Sequence, residues 1–382
     1  MSQPAIHLVL FLSRATPLKR WEQMGILNRE MSLYQYHLKW LGGVTIVTSG
    51  GKEELSYQRS FPGVEILFNR WKLSPNIYSL LAPWLHKTAL RQASIYKTNQ
   101  LDGAWTAILA GKLHHKPVIV RAGYLWAEFN RFLKNGSIKN NLIRRLQAFS
   151  LAEADSIIVT TEAMKKEVNQ NYNIPLEKVR IIPNAVETDL FCPRSEIQPV
   201  SGRVCFVGRL TKQKNLDKLI EAISTINEAH LVLIGEGEEQ QYLMLLAQSK
   251  GVKITFLGQL PNHQIPLEIN RSEVFILPST IEGHPKALIE AMACGAAVIG
   301  AGVPGIRELI EHGKTGWLCP PTIDGLRDAI QFLLANPSIR LEMGKNSRQF
   351  ILDHFSLEQV TQLEKRVIEN TFCEYQKDHD HL

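Results

Sequence analysis

Short apolar runs alternate with longer stretches of helical periodicity along most of the chain. The runs at residues 6–12, 44–48 and 64–68 have the length and the β-branched content that are typical of buried strands. Between the first two runs, apolar residues recur at helical spacing over residues 21–41, and a Gly-Gly pair follows. Strands that alternate with helices in this way predict a parallel, doubly wound α/β sheet.

The same alternation starts again in the second half of the chain, after a segment at residues 191–201 that contains two prolines. A chain of 382 residues is longer than one ordinary domain. We therefore expect a first domain at residues 1–190, a linker at 191–201 and a second domain at 202–352. Residues 353–382 are expected to form a C-terminal helix followed by a polar tail.

Residues 274–300 contain the most informative unit of the chain. An apolar run at 274–278 predicts a buried strand, a loop follows, and a helical segment ends at Gly295, a residue suited to the left-handed conformation just past a helix. A second apolar run at 296–300 completes a βαβ unit. Pro285 suits the first turn of the helix. The loop therefore presents a helix N-terminus, which favours the binding of phosphate.

Two carboxylates bracket this unit: Glu282 in the loop and Glu290 in the helix. Taken singly, each is more simply interpreted as a solvated side chain. Their common strand–loop–helix setting favours one ligand with hydroxyl groups at two places and phosphates between them. A nucleotide sugar has this chemistry.

The segment EGHPKALIEAMACGAAVI at 282–299 resembles the signature of family 4 of the retaining nucleotide-sugar glycosyltransferases, whose fold is called GT-B. Further blocks match in the same order: IIPNAVETDLF, VCFVGRLTKQKNLDKLIEAI, LVLIGEGEE, ITFLGQLPNHQIP, GIRELIEHGKTGWLC and HFSLEQV. The resemblance covers nearly all of residues 180–382 and is looser over 1–180. It implies two Rossmann-like domains that face a central cleft, and a last helix that crosses back onto the first domain.

The resemblance also implies roles for individual residues of the second domain. Arg209 and Lys214 follow a predicted strand closely, and two fixed cations there suit a diphosphate leaving group, although solvated surface cations are the plain alternative. Glu282 is expected to contact donor-sugar hydroxyls and Glu290 to accept from ribose hydroxyls. The residues expected to be catalytic are Glu282, Arg209 and Lys214. The residues expected to bind the donor are Gly208, Arg209, Lys214, Gly235, Gln259, Leu260, Glu282, His284, Lys286, Ala287 and Glu290.

The first domain departs from the family pattern at two places. The loop after the first strand lacks the paired glycines of most members, and Arg14 offers charge there instead. Gly123 stands where many members carry a histidine, with Arg121 and Tyr124 on either side. We expect Arg14, Arg121 and Tyr124 to lie on the acceptor side of the site.

The net charge of +6 hides an asymmetry between the two halves. Residues 1–190 contain 24 Lys and Arg against 14 Asp and Glu, whereas residues 191–382 contain 19 against 23. A basic first half indicates an anionic partner, such as a membrane surface, an acidic glycan or a phosphorylated acceptor. Nucleic acid is not expected, because the chain shows no nucleic-acid-binding module.

Two stretches of the first half are candidates for that contact. Residues 131–146 form a basic amphipathic stretch, which fits either an anionic leaflet or a solvated helix packed on the core. Residues 71–86 are rich in large apolar side chains, which favours a core helix over a flap that touches lipid or acceptor.

Several further features bear on compartment and cofactors. The five cysteines form no Cys-x-x-Cys pair, which favours a reducing compartment and no structural zinc. The run at 6–12 indicates a buried strand and not a signal peptide, and no apolar run is long enough to span a membrane. The Asp-x-Asp pattern at 378–380 lies in a polar tail that we expect to be disordered. We therefore expect no metal or cofactor, and a cytoplasmic protein at the inner face of the cell membrane.

The sequence predicts a retaining, metal-independent hexosyltransferase. It would move a sugar from a nucleotide diphosphate donor to a glycan, lipid or lipid-linked acceptor, in the synthesis of cell-surface polysaccharide or glycolipid. Two alternatives stay open: a GT-B epimerase acting on a nucleotide sugar, and a catalytically silent glycan- or membrane-binding partner subunit. The intact set Arg209, Lys214, Glu282 and Glu290 argues against the silent subunit.

Overall fold

The computed structural model describes residues 5–125 and 137–379, with the side chains of residues 137–140 left aside. The chain divides into two compact units. The first comprises Met1–Pro183 together with Val360–Leu382, and the second comprises Asn184–Gln359. Each unit is built on one parallel sheet with helices between successive strands, so the predicted α/β class with two Rossmann-like sheets is confirmed.

The first unit contains a seven-stranded sheet in the order β3-β2-β1-β4-β5-β6-β7. All of its strand pairs are parallel. The strands are β1 (His7–Phe11), β2 (Gly43–Val47), β3 (Val64–Leu67), β4 (Ile95–Thr98), β5 (Val118–Ala122), β6 (Ser156–Val159) and β7 (Val179–Ile181). The helices described here are α1 (Leu18–Gln23), α2 (Leu27–His37), α3 (Tyr57–Ser60), α4 (Pro75–Leu85), α5 (Lys87–Gln92), α6 (Ala104–His114), α7 (Ser137–Ala152) and α8 (Glu162–Tyr172).

The second unit contains a six-stranded sheet in the order β10-β9-β8-β11-β12-β13, again with parallel pairing throughout. The strands are β8 (Val200–Val207), β9 (His230–Ile234), β10 (Ile254–Gly258), β11 (Ser272–Leu277), β12 (Ala297–Ala301) and β13 (Trp317–Cys319). The helices are α9 (Leu216–Ile223), α10 (Gln240–Ser249), α11 (Ile265–Asn270), α12 (Lys286–Ala293), α13 (Pro304–Arg307), α14 (Ile323–Ala335) and α15 (Pro337–His354). The last helix, α16 (Leu357–His379), belongs to the first unit from Val360 onward.

The central strands explain why the apolar runs have no polar alternation. In β1, Leu8, Val9 and Leu10 are all fully buried, and the same holds for Val274, Phe275 and Ile276 in β11. Helices cover both faces of a doubly wound sheet, so successive side chains of a central strand enter apolar layers on opposite sides. Burial of these layers is the main favourable term in folding each unit.

The backbone confirms one local prediction, the left-handed Gly295, and also shows how α8 begins. Thr161 caps α8, since its hydroxyl oxygen accepts a hydrogen bond from the N–H of Met164 at 3.2 Å. Gly295 lies just past the end of α12 with φ of +69°, in the left-handed region that glycine adopts without a Cβ penalty.

Two other local predictions are wrong. The single helix expected over residues 21–41 is divided into α1 and α2, because Gly25 takes a φ of +66° and ends the first helix. The disorder expected at Asp378 and His379 is not found, since both lie in the last turn of α16, while Asp380 lies outside the described residues.

Within the described ranges, no helix is both long and apolar enough to cross a lipid bilayer.

A buried group of charges joins α16 to the core of the first unit. The Glu364 carboxylate on α16 forms an ion pair with Lys97 on β4 and a hydrogen bond with the imidazole Nε2 of His37 on α2 at 3.2 Å. The Lys97 ammonium also donates to the Tyr34 hydroxyl at 3.2 Å. Charges without access to water are tolerated only where partners replace their hydration. This cluster therefore fixes the register of α16 against the sheet.

The titration behaviour of the cluster follows from those partners. Burial by itself raises the pKa of the Glu364 carboxyl, but the nearby Lys97, His37 and Arg121 outweigh it and hold that pKa well below its usual range. Burial lowers the pKa of Lys97, but Glu364 reverses this, so the pKa of Lys97 is raised. The ion pair therefore stabilises the folded unit at neutral pH, and its contribution falls as acid protonates Glu364.

We expect Glu364→Gln to lower the free energy of unfolding of the first unit by about 3–5 kcal/mol, because it leaves Lys97 and Arg121 as buried cations without a counter-charge. Lys97→Met is expected to cost less, since Arg121 still faces Glu364. Urea unfolding followed by circular dichroism measures both changes. Glu369→Gln is the matched control with an expected effect within about 0.5 kcal/mol, because it removes a half-exposed carboxylate of the same helix that has only a loose surface ion pair with Lys365 at 3.8 Å. Equal losses in all three variants would contradict this account.

Candidate functional site

The order of the second sheet marks one place where a ligand crevice is expected. The chain winds outward from β8 to β9 and β10 on one side, and from β11 to β12 and β13 on the other. Loops that leave β8 and β11 therefore diverge from each other at the carboxyl edge of the sheet. Ligands of open α/β sheets bind at such a topological switch point.

The loop after β8 is held by backbone bonds to its neighbours on both sides. The Leu210 N–H donates to the Glu236 carbonyl at 2.9 Å, which ties the loop to the exit of β9. On the other side, the Thr280 N–H donates to the Gln213 carbonyl at 2.9 Å, which ties it to the exit of β11. Asn215 adds a side-chain bond to the Pro278 carbonyl at 3.1 Å. The three strand exits thus form one connected rim.

Gly235 lets two of these exits come close together. Its N–H donates to the Gly258 carbonyl at 2.7 Å, and its φ is +126°. A Cβ at this position would lie 2.1 Å from the carbonyl oxygen of Gly208, a distance at which the backbone must move. The Gly-x-Gly turn predicted at the end of β9 therefore has a steric reason that is independent of any ligand.

Lys214 and Glu282 meet at the switch point. The Lys214 ammonium lies 2.5 Å from a Glu282 carboxylate oxygen, and the two side chains are 13% and 9% exposed. The sequence analysis assigned these residues separately, to the diphosphate and to the sugar, and did not predict that they pair. A partly buried pair of this kind holds two opposite charges at fixed positions at the switch point, where a ligand can contact either one.

Arg209 lies on the same loop, and its side chain is exposed. The Thr211 N–H donates to the Arg209 carbonyl at 3.0 Å, which makes a tight turn directly after the strand. No ion pair joins Arg209 to another residue in the part of the chain that the structure describes. It is therefore a cation available to an anion that approaches the rim.

The start of α12 faces the same loop. Pro285 is the N-cap, one residue earlier than the first-turn position predicted for it, and no side chain caps this end of the helix. The first turn contains the N–H groups of Lys286 and Ala287, followed by that of Leu288, which donates to the Pro285 carbonyl at 3.2 Å. They carry the positive end of the helix dipole. Glu290, four residues into the helix, is buried.

His284 is held by a residue that the sequence analysis quoted without a role. The Asn184 side-chain amide donates to the His284 carbonyl at 2.7 Å, and the Asn184 N–H donates to the imidazole Nδ1 at 3.3 Å. The imidazole also packs against Phe355, with ring centroids 5.5 Å apart. His284 is thus buried and positions the loop before α12.

The two other predicted donor residues, Gln259 and Leu260, follow β10, with Gln259 exposed.

Two buried hydroxyls near the rim were missed by the sequence analysis. The hydroxyl oxygens of Thr211 and Ser279 are inaccessible to water and make no hydrogen bond to any described residue. Ser279 follows β11 and is fully buried, and Thr211 follows β8. Both lie on the loops that carry Lys214 and Glu282. Their only sequence signal was their place directly after a predicted strand.

The residues predicted for the acceptor side do not share partners. Arg14 donates to the Asn76 side chain, forms an ion pair with Asp102 at 3.4 Å, and lies over the Trp105 ring. Burial raises the pKa of the Asp102 carboxyl, and Arg14 opposes that shift. These contacts hold Arg14 in place at the exit of β1. From the sequence, Arg14 was instead expected to offer its positive charge to phosphate.

Arg121 and Tyr124 have opposite environments. Arg121 is buried beside the Lys97–Glu364 pair, while Tyr124 is largely exposed. Between them, the Gly123 N–H donates to the Gln100 side-chain oxygen at 3.0 Å. Arg121 therefore contributes to the core, and Tyr124 alone of the two presents its side chain to solvent. Residues 131–136 of the basic stretch 131–146 lie outside the described residues, and its described part, in α7, carries the exposed Arg144 and Arg145.

Gly235→Ala tests whether the close approach of the β8 and β9 exits builds the site. An alanine in a left-handed backbone conformation costs roughly 1–2 kcal/mol. We expect Gly235→Ala to destabilise the second unit by more than this, because the Gly208 carbonyl must also move. Gly251→Ala is the matched control: that glycine has a φ of +64°, but nothing lies within 4 Å of the new Cβ. Thermal unfolding measures both variants. Equal melting temperatures for the two would contradict the steric argument.

Two family models match the chain, and together they cover most of it. The model described as Glycosyltransferase Family 4 matches residues 42–190, and the model described as Glycosyl transferases group 1 matches residues 194–350. An uncharacterised glycosyltransferase of Methanocaldococcus jannaschii is 27% identical over 264 residues, which is 64% of this chain and 65% of that protein. The alignments with the first curated relatives span only 55% to 65% of those proteins' lengths.

Solved structures agree on the fold. Sucrose-phosphate synthase from Thermosynechococcus elongatus superposes with a TM-score of 0.77 and 19% identity, covering 97% of this chain and 100% of that chain. HepE of Anabaena, solved in complex with UDP and glucose, gives a TM-score of 0.78 and 18% identity, covering 95% and 99%. The chain therefore belongs to the group 1, family 4 glycosyltransferases of the GT-B type.

Proposed function

We propose that this protein transfers a hexose from a nucleotide diphosphate sugar to a hydroxyl group of a glycan, lipid or lipid-linked acceptor, with retention at the anomeric carbon. The observation that carries the proposal is the Lys214–Glu282 pair at the switch point of the second sheet. It lies on loops that also carry Arg209 and lead into the N-terminus of α12. At this rim, the cations and the helix dipole match the diphosphate of a nucleotide sugar, and the carboxylate matches its hydroxyl groups.

The cations act on the leaving group. As the bond between the anomeric carbon and the phosphate oxygen breaks, its electron pair stays on that oxygen, and negative charge builds up on the diphosphate. Lys214 and Arg209 stabilise this charge, together with the first-turn N–H groups of α12. Because these groups are fixed by the fold, little reorganisation is needed as the charge develops.

The carboxylate acts on the sugar. Glu282 accepts hydrogen bonds from donor-sugar hydroxyls and orients the anomeric carbon, and Glu290 is assigned to the ribose hydroxyls. The acceptor oxygen attacks on the face that the diphosphate leaves, and its proton passes to the departing phosphate oxygen. Neither an enzyme nucleophile nor a side-chain base is needed, so Gly123 at the position of the family histidine is compatible with the reaction.

The relatives suggest which donor to test first. HepE was solved with UDP and glucose, and its fold covers nearly all of this chain. We therefore take UDP-glucose as the first probe within a panel of nucleotide sugars. The five free thiols fit a reducing compartment, and we propose that the reaction takes place in the cytoplasm.

We expect UDP or UDP-glucose to raise the melting temperature, because a ligand at 100 times its Kd adds about 2.7 kcal/mol to the free energy of unfolding. Arg209→Ala is expected to abolish this shift. Lys214→Met is expected to lower turnover by about 10²–10³-fold, the usual cost of losing one fixed charge stabiliser, with Lys214→Arg restoring part of it. Nucleoside diphosphate release measures turnover.

Lys212→Met is the matched control, since it removes an exposed lysine of the same loop and is expected to change neither binding nor turnover. A Lys214→Met variant that turns over donor like the wild type would refute the assignment. Appearance of a new free sugar isomer in place of transfer would favour the epimerase. If no nucleotide shifts the melting temperature of the wild type and no donor is turned over, the silent partner subunit is the remaining interpretation.

We also expect the reaction to proceed without a metal ion. The proposed charge stabilisation comes from Lys214, Arg209 and the α12 dipole, so no divalent cation is required at the diphosphate. Turnover in excess EDTA is expected to match turnover in added Mg²⁺. A loss of activity with EDTA that Mg²⁺ restores would contradict this assignment of the charge-stabilising groups.

A further inference from the structure

One helix of the first unit exposes a row of large apolar side chains. On α4, Ile77, Leu80, Leu81 and Trp84 are 49%, 52%, 42% and 53% exposed. They recur at the spacing of i, i+3, i+4 and i+7, so they share one side of the helix. We call these four residues the α4 stripe. Single exposed apolar residues are ordinary on a protein surface, but a contiguous row on one helix indicates a contact surface.

The opposite side of α4 already has its place in the core. Tyr78, Ala82 and Pro83 are buried, and the Pro83 carbonyl lies 2.9 Å from the imidazole Nε2 of His114 on α6. The Tyr78 hydroxyl is 2.8 Å from the imidazole of His86 at the end of the helix. The helix is therefore fixed by one face, and the stripe is not an unpacked core. The expectation that residues 71–86 form mainly core is wrong for these four side chains.

The stretch of sequence around the stripe carries charges of a single sign. From residue 66 to residue 101 the sequence contains no Asp or Glu, and it contains five Lys and Arg. Four of these are exposed: Arg70, Lys72, Lys87 and Arg91. An apolar row with exposed cations and no nearby acidic residue in the sequence is complementary to a surface that is apolar below and anionic above.

The cations also lie close to the stripe in space. Trp71 packs edge-on against His86, with ring centroids 5.2 Å apart, so residues 70–72 return to the carboxyl end of α4. Arg70 lies over the Trp71 ring at 4.4 Å. Lys87 follows His86 directly. Trp84, whose ring has an apolar body and one polar N–H, thus lies near the end where these cations gather, as in residues at a membrane interface.

A second exposed apolar row provides a contrast. On α10 of the second unit, Tyr242 and Leu245 are 51% and 60% exposed. That helix follows Glu236, Glu238 and Glu239 and is followed by Lys250 and Lys253, so its surroundings carry charges of both signs. Apolar exposure alone therefore does not single out a lipid surface, whereas apolar exposure combined with unopposed cations does.

We propose that the α4 stripe is a docking surface for an anionic lipid bilayer, in which Ile77, Leu80, Leu81 and Trp84 enter the interface while Arg70, Lys72, Lys87 and Arg91 contact lipid phosphates. The contact lies in the plane of the interface and does not span the bilayer. Two weak signals, an apolar row and a cluster of cations, act together here, as stable membrane binding requires. The inference goes beyond the proposed reaction and rests on it only in taking the acceptor to be lipid-borne.

The test is co-flotation of the full chain with vesicles of phosphatidylcholine that contain about 30% phosphatidylglycerol. We expect the wild type to float with these vesicles at about 0.1 M salt and to be released at about 0.5 M salt. Leu80→Gln/Trp84→Gln is expected to reduce the bound fraction at least about fivefold. Lys87→Gln/Arg91→Gln is expected to weaken binding to anionic vesicles, bringing it close to that seen with pure phosphatidylcholine.

Tyr242→Gln/Leu245→Gln is the matched control and is expected to float like the wild type. Wild type that stays unbound at low salt, or an α4 variant that floats undiminished, would overturn the proposal. A wild-type dimer in sedimentation velocity that the α4 variant dissociates, without vesicle binding, would assign the stripe to a second copy of the chain. The nucleotide-induced thermal shift is measured on the same samples, so that failure of the donor site and failure of membrane docking are told apart.

Discussion

The parallel winding of the second sheet brings Lys214 and Glu282 together, and the proposed chemistry depends on that pairing. The two residues are 68 positions apart, and each follows a central strand by only a few residues. Because β8 and β11 are neighbours with the same direction, their exits meet at one edge. Close approach at Gly235 and the bonds of Asn215 then leave these loops little freedom. A small number of backbone contacts thus holds two opposite charges beside a helix N-terminus.

The chain uses buried charge in two different ways. Lys97 and Glu364 are fully buried and satisfy each other, so they stabilise the position of the last helix and have no access to a ligand. Lys214 and Glu282 keep a small accessible fraction, which lets a bound anion or hydroxyl compete for either partner. The difference in access to solvent, rather than the types of residue, separates a structural ion pair from one that is placed to act on a substrate.

Apolar residues are likewise divided between two tasks on α4. One side of the helix packs on the core through Tyr78 and Ala82, while Leu80 and Trp84 face solvent among cations. Composition cannot separate these tasks, because an apolar residue on either face contributes equally to the hydrophobic content of the segment. Burial in the tertiary structure makes the distinction, and the absence of Asp and Glu from residues 66–101 then indicates which kind of surface the exposed side fits. The proposed donor chemistry and the proposed membrane contact therefore involve residues of different units of the chain.

The sequence alone determined the α/β class, the βαβ unit around α12 and the left-handed Gly295, because periodicity and terminal residues act within a few positions of the chain. The family motif added a prediction of which residues lie around the donor. Only the tertiary structure decided that Lys214 pairs with Glu282, that Arg14 and Arg121 are held by other residues, and which side of α4 is exposed. Those outcomes depend on contacts between residues far apart in sequence, which strand order and packing create and which no local pattern encodes.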